Sequence, residues 1–261
     1  MPVATRLPCR PLLGLLLPLT MAQAMAQGIA EPLEILVEDA AEPFSRADGS
    51  GYANELVVAA YAAVGIDVKL GVVPYSRCKA MVLDGSVAAC FNMAWEKALE
   101  GRVKLADEPL YKAHGVYFQH KARPLAARKE SELGKPLRIG TVKDYEYADS
   151  ALQARLRGAV FFPGRSEQVS LKRLAQGKLD AALVIGNDLQ GSRYWAESAG
   201  VADQVELAFP STPTLVYIGF STSHPQGQWA LDKFNQGYKL LRETGYIGQL
   251  RKKWVAQLSL H

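Results

Sequence analysis

Twice in this chain an amphipathic helix runs through a short turn into an apolar strand. The first instance is "SRCKAMVLDGSVAACFN", Ser76–Asn92, and the second is "LKRLAQGKLDAALVIG", Leu171–Gly186. In each, helical spacing of apolar residues gives way to a short continuous apolar run, the change of period that separates a helix from a buried strand. A helix that passes straight into a strand runs antiparallel to it and packs as a layer on the sheet. A chain that carries this device in both halves is constrained to an α/β architecture in which one unit is made twice.

The rest of the chain agrees. "LEILVE" (Leu33–Glu38) reads as a strand followed by the loop "DAAEPFSRADGSG". "YANELVVAAYAAVG" puts Leu56, Ala59, Ala60 and Ala63 on one helical face, with Gly65 as its stop. "IDVKLGVVP" is a second strand, so strand, helix, strand, helix and strand follow one another. That order predicts a sheet with right-handed crossovers. After "GVYFQHKARP" the pattern restarts: "SELGKPLRIGTV" gives a short helix and a strand, "YEYADSALQARL" a helix and "AVFFPG" a strand. Ser166 is placed to cap "EQVSLKRLAQ", with Leu171, Leu174 and Ala175 facing inward and Gly177 ending it. Two helices, "QWALDKFNQGYKLLRETG" and "YIGQLRKKWVAQL", close the chain, and no linker interrupts it.

The amino terminus reads as an export signal. Arg6 and Arg10 precede a short apolar run, Leu12 to Met21, and Ala24 and Ala26 supply small residues for cleavage. Gly14 and Pro18 break that run, which is half the roughly 20 residues a membrane span requires. Residues 1–26 are therefore expected to be a signal peptide, with a soluble mature chain of about 235 residues from Gln27 in the periplasm. Losing Arg6 and Arg10 takes the net charge from +4 to +2, with no basic run of the kind nucleic-acid binders carry. Export also leaves Cys78 and Cys90 where disulfides form. The helix's first turn and the far end of the antiparallel strand lie on the same side, so these two are expected to pair. Closing so short a loop adds ~3 kcal/mol in the chain-entropy model. His114, His120, His224 and His261 are scattered, without metal-ligand spacing to Cys or to one another. No HExxH, GxSxG, phosphate loop or dinucleotide glycine motif is present, and neither a metal nor a cofactor is expected.

Six segments in register carry a resemblance. "LEILVEDAAEPFSRADGSGYANELVVAAYAAVGIDVKL", "LDGSVAACFN", "ADEPLY", "SELGKPLRIGTV", "LKRLAQGKLDAALV" and "ETGYIGQLRKKW" run from Leu33 to about Val255. In order and spacing they resemble the type-three extracellular solute-binding proteins, periplasmic receptors of polar amino acid ABC importers. The resemblance implies a two-lobed periplasmic binding protein fold of type II. One lobe would be 27–118 plus 215–261 and the other 119–214, joined by two crossover strands around a ligand cleft. It also implies a monomer that closes on a small-molecule ligand and presents the closed form to an ABC permease.

Open α/β sheets bind ligands beyond the carboxyl ends of their strands. That rule nominates Glu42 and Phe44 after the first strand, Tyr75 before the disulfide helix, and Asn92 to Trp95 after the third strand. From the second lobe it nominates Thr141 to Tyr145, including Asp144, and Gly186 to Asp188. Phe44, Tyr75 and Trp95 are candidate apolar walls. The probable helix start near Thr141 offers N–H groups to an anion. Amino-acid binders of the resembled family carry a Thr-Pro-Glu-Arg-like run whose arginine grips the ligand's α-carboxylate. Here the run reads "AWEKALEGR". Lys97 is the nearest cation, Arg102 is displaced, and Arg77 approaches from the neighbouring helix. The family's aspartate for the α-amino group falls at Ile185, with Asp188 three residues on. Stranding one member of a buried ion pair costs ~3–5 kcal/mol. Either Arg77, Lys97 and Asp188 restore the anchors, or the ligand is not a standard α-amino acid.

Two other roles share this cleft. Periplasmic dehydratases acting on cyclohexadienyl acids use a cleft carboxylate and a cation, which Glu42, Asp144, Glu146 and Lys143 are candidates to supply. A receptor that hands its closed form to a membrane sensor would use the same cleft. The sequence stops at His261, just after its last helix, and the expectation is a stand-alone binding protein, not an enzyme.

Overall fold

The computed structural model describes residues 32–134, 136–147, 149–187, 189, 191 and 193–258, together with Met1 and Val3. Apart from Met1 and Val3, the expected signal peptide lies outside the described residues, as does Asp188. Pro32–His261 forms one unit.

In chain order the elements are β1 (Leu33–Glu38), β2 (Ala40–Ala41), β3 (Ser45–Arg46), α1 (Tyr52–Ala62), β4 (Val68–Val73), α2 (Tyr75–Asp84), β5 (Ala89–Met93) and β6 (Val103–Leu105). Then come β7 (Tyr111–His120), β8 (Arg138–Val142), α3 (Asp149–Leu156), β9 (Val160–Gly164), α4 (Glu167–Ala175), β10 (Ala181–Asn187) and α5 (Tyr194–Ser198). The long β11 (Val205–Ser221), α6 (Gly227–Glu243) and α7 (Tyr246–Leu258) complete the chain.

The duplicated device is visible in the topology. Among the described residues, nine strands form one mixed sheet in the order β4-β1-β5-β11-β7-β10-β8-β9, with β6 beside β11. At one end β1 lies between β4 and β5, parallel to both; at the other β8 lies between β9 and β10, again parallel to both. Each block therefore has the same second-first-third order. The two blocks meet at β7 and β11, which are antiparallel to each other; β11 also pairs antiparallel with β5, and β7 with β10.

Local sequence accounts for most of these elements. In α1 the buried Tyr52, Ala53, Leu56, Val57, Ala60 and Tyr61 form one stripe, and Gly65 beyond it takes a left-handed φ of 73°. Ala63, expected on that stripe, lies past the helix end and is exposed. In α4, Ser166 accepts a hydrogen bond from the Val169 N–H at 3.4 Å, and Leu171 and Leu174 are buried as expected. Cys78 and Cys90 are joined, with Cα atoms 5.7 Å apart, because α2 and β5 pack antiparallel.

Two features depart from the expectations. The helix expected from Tyr145 begins at Asp149. Asp144 takes a left-handed φ of 63°, and Tyr147 Oη accepts a hydrogen bond from the Val142 N–H at 2.7 Å. That bend holds Tyr145 and Glu146 outside the helix. The 17-residue β11 was not anticipated as a strand, because Pro210 and Pro213 interrupt its pattern. Its pairing with β7 slips between Leu207 and Phe209 and again between Pro210 and Pro213, so irregular pairing absorbs the prolines.

Candidate functional site

A pocket opens where the carboxyl ends of the two parallel blocks face each other. It is lined by Glu38, Ala41, Glu42, Phe44, Asn92, Ala94, Tyr111, Ala113, Tyr145, Glu146, Glu167, Ile185, Trp195, Thr214 and Val216. Its free volume is about 50 Å³.

Each wall has a local cause. Glu38 ends β1, so its side chain leaves the sheet at the strand's carboxyl edge, and its own carbonyl is fixed by Ser45 Oγ at 2.5 Å. Asn92 is a bulge. Its neighbours Phe91 and Met93 oppose the consecutive Ile218 and Tyr217 of β11, which leaves Asn92 unpaired with a φ of 71°. Tyr111 Oη donates to Asn92 Oδ1 at 3.1 Å. The Tyr111 ring lies flat on Phe44, with centroids 3.5 Å apart and an interplanar angle of 1°. From the other block, Glu167 opens α4, and Trp195 is held by donation from Nε1 to the Ile185 carbonyl at 3.0 Å.

Polar contacts cross the pocket. Tyr145 Oη donates to Glu38 Oε1, and Tyr194 Oη donates to Glu42 Oε2. Glu146 receives Tyr75 Oη at 2.6 and 2.5 Å on its two oxygens, Lys79 Nζ at 2.8 Å and the Ala94 N–H at 3.3 Å. Lys79 also reaches Glu96 at 2.7 Å and the Asp144 carbonyl at 2.9 Å. Lys79 is thus the cation at the cleft, one helical turn after Tyr75 on the same face of α2.

Burial dominates the acid–base character. It drives the Glu38 carboxyl well above the usual range, with the Tyr145 hydrogen bond opposing and the Glu167 and Glu146 charges adding to the rise. Burial also raises Glu146, against the pull of Lys79. Desolvation works to lower Lys79, but Glu146 and Glu96 outweigh it and hold the ammonium above the ordinary lysine range. Burial pushes Glu167 up to about 7, although its own N–H and that of Ile185 pull the other way.

The expected site residues divide. Glu42, Phe44, Asn92 and Tyr145 line the pocket. Tyr75 is buried directly behind it, on Glu146. Asp144 sits at the rim with an exposed side chain, offering only its carbonyl to Lys79. Thr141 is buried within β8, where its carbonyl accepts from Ser170 Oγ at 3.2 Å, and does not line the pocket. Four residues lie away from it. Arg77 is two positions from Tyr75, a rotation of about 200° in a helix of 3.6 residues per turn, and so projects to solvent. Lys97 is exposed at a 3-10 turn, and Trp95 is 63% exposed. Arg102 is exposed as well, donating to the Leu83 carbonyl at 3.0 Å.

Sequence reasoning missed Glu38, Lys79, Tyr111, Glu167 and Trp195 and weighed Glu146 only as a catalytic group. Glu38 carried a usable signal, being the last residue of a strand. Lys79 carried another, the four-residue spacing from Tyr75. Glu167 and Trp195 had none, since the first is a helix-start acid and the second an ordinary apolar position until α4, α5 and β10 are packed.

No family model matches this sequence, and no curated protein matches it. Solved structures match in fold. A histidine kinase sensor domain with similarity to periplasmic binding proteins superposes with a TM-score of 0.72 at 18% identity, over 86% of this chain and 96% of that one. An ancestral arginine-binding protein bound to arginine gives 0.71 at 15% identity, over 85% and 97%. An ancestral amino acid-binding protein described as a precursor of cyclohexadienyl dehydratase gives 0.67 at 16%, over 86% and 95%. At such identities the likeness is one of fold, and the fold is the mixed α/β, two-lobed architecture of periplasmic binding proteins.

Proposed function

We propose that this chain is a periplasmic solute-binding protein that captures one small polar solute between its lobes and delivers it to an ABC permease. In this reading residues 1–26 are removed on export, 27–118 and 215–261 form one lobe, and 119–214 form the other. Those divisions fall inside β7 and β11. β7 pairs with β10 from Ala113 onward, ahead of the 118/119 division, and β11 pairs with β5 from Tyr217 onward, so the bending residues would lie just before Ala113 in β7 and just before Tyr217 in β11. The protein would act as a monomer.

The observation that carries this reading is a pocket walled by residues of both lobes and spanned by direct side-chain contacts. Tyr75 and Lys79 meet Glu146, Glu38 meets Tyr145, and Glu42 meets Tyr194. A ligand held there would be enclosed by closure, and only the closed form would present both lobes in a fixed relation to a permease. The solved structures of the same fold that bind amino acids add support by analogy. A dehydratase acting on carboxylate substrates is disfavoured, since among the described lining residues there is no Arg, Lys or His to hold such a substrate.

Thermal unfolding of the mature protein against amino acids, polyamines, dicarboxylates, short peptides and the two cyclohexadienyl acids tests the proposal. A true ligand at 100 times its Kd adds ~2.7 kcal/mol and compacts the protein in small-angle scattering. Absence of both effects with a broad metabolite extract would overturn the receptor reading.

A further inference from the structure

The side chains lining the pocket that can carry charge near neutral pH are all acidic. Glu38, Glu42, Glu146 and Glu167 all line it, and among the described lining residues there is no Arg, Lys or His. Lys79 approaches Glu146 from outside this lining and is already shared with Glu96. Three of the four carboxylates have identified hydrogen-bond donors from side chains: Tyr145 for Glu38, Tyr194 for Glu42, and Tyr75 with Lys79 for Glu146.

Glu167 differs. It is 2% exposed, and its Oε2 is buried without a hydrogen-bond partner. Asn92, 8% exposed, likewise leaves its Nδ2 donor without a partner. A buried acceptor of negative charge and a buried neutral donor on the same pocket are what a ligand should satisfy, since orphaned buried polar groups are costly. The remaining wall is aromatic. The stacked Phe44–Tyr111 pair, Tyr145 and Trp195 line it, and an aromatic ring face attracts a cation.

The shape of the donor set narrows the cation. Among the described residues no three His, Cys, Asp or Glu side chains converge closely enough to hold a metal ion. The carboxylates are spread around the walls, which suits a ligand with its charge on an organic group. A zwitterionic amino acid would place its own carboxylate among four others with no arginine to receive it, and burying an unpaired charge is strongly unfavourable.

On the reading of this cleft as the ligand site, we propose that it selects a small organic cation lacking a carboxylate, a protonated amine or amidine that bears a neutral oxygen or nitrogen acceptor. Glu167 supplies the counter-charge, Asn92 Nδ2 donates to the acceptor, and the Phe44–Tyr111 pair with Trp195 walls the cation. The loss of the family-type arginine then has a physical sense, because a carboxylate-free ligand needs no such partner.

Matched pairs that differ by one carboxylate test this. The mature protein is titrated calorimetrically with ethanolamine against serine, 3-aminopropanol against homoserine, and histamine against histidine, at pH 8 and with scattering recorded on each. At least one carboxylate-free member should bind at least 100-fold more tightly than its partner and compact the protein. Glu167→Gln and, separately, Asn92→Leu should each weaken that binding at least tenfold, with cooperative thermal melting confirming that both variants are folded. An amino acid that binds as tightly as its decarboxylated partner, or failure of every carboxylate-free probe while an anionic or zwitterionic solute binds with compaction, overturns the cation assignment and leaves the receptor reading standing. Binding unchanged in both variants overturns the roles given to Glu167 and Asn92, whereas no compaction with any probe or extract overturns the receptor reading as well.

Discussion

At the scale of single residues, Glu167 is the side chain most out of keeping with its surroundings. Its carboxyl titrates near 7 because burial penalises the charge, whereas an unfolded glutamate titrates near ~4.3. The folded state therefore holds a proton between those values that the unfolded chain has released. By linkage, stability from this group is highest below about pH 4.3, falls as pH rises through the window, and levels off above about 7. Glu38 and Glu146 share the pocket, are also raised, and couple to Tyr145 and Tyr147, so the contrast between wild type and variant isolates the effect. Glu167→Gln should be nearly neutral at pH 4.5 and stabilising by on the order of 3 kcal/mol at pH 8 without ligand. Urea melts at the two pH values check this, and an equal change at both would mean that the carboxylate is not isolated by burial.

At the scale of elements, close approach of helices fixes one position. A Cβ on Gly237 of α6 would lie 1.8 Å from the Ala60 carbonyl oxygen of α1. Two effects compete. Alanine favours an isolated helix over glycine by about 1 kcal/mol, while overpacking a tight core contact costs typically 1–3 kcal/mol. The contact is with backbone, which cannot swing aside as a side chain would, so the steric term wins. Gly237→Ala should lower the unfolding free energy by about 1–2 kcal/mol on balance. A variant as stable as the parent in chemical denaturation would show that α1 and α6 separate at little cost. Element-scale reasoning also explains the disulfide, because the antiparallel packing of α2 on β5 that places Cys78 by Cys90 follows from the helix–turn–strand pattern itself.

On the proposed function, the contacts across the cleft would set the balance between open and closed forms of the whole molecule. Lys79 and Glu146 are both largely buried when the lobes meet, with side-chain exposures of 12% and 3%. Lys79→Ala leaves the Glu146 carboxylate in the closed form without its cation, a loss of ~3–5 kcal/mol when an ion pair is fully buried, and less when the remaining partner takes up a proton. In the open form water solvates that carboxylate, so the substitution penalises closure alone. The unliganded variant should have a larger radius of gyration, and ligand should bind at least tenfold more weakly, since it must also supply the energy of closure. An unchanged radius and unchanged affinity would sink the idea that this contact latches the lobes.

Local patterns along the chain specify the doubled α/β unit, the strand-end location of the cleft and the pairing of Cys78 with Cys90. Each is local: a change of apolar period, a glycine or a serine at a helix boundary, a helix returning on the strand that follows it. Glu42, Phe44, Asn92 and Tyr145 were legible as lining residues for the same reason, because they sit at or just beyond element ends. Only the tertiary structure decided the charge of the pocket. The sequence offered Arg77, Lys97 and Arg102 as cations near the right place, but helix phase and loop exposure turn all three to solvent. Glu38, Glu146 and Glu167 come from three segments far apart in the chain, and their convergence depends on packing the two blocks face to face. Desolvation acts on the space a group occupies, and no residue's neighbours in sequence reveal how much water that space will hold.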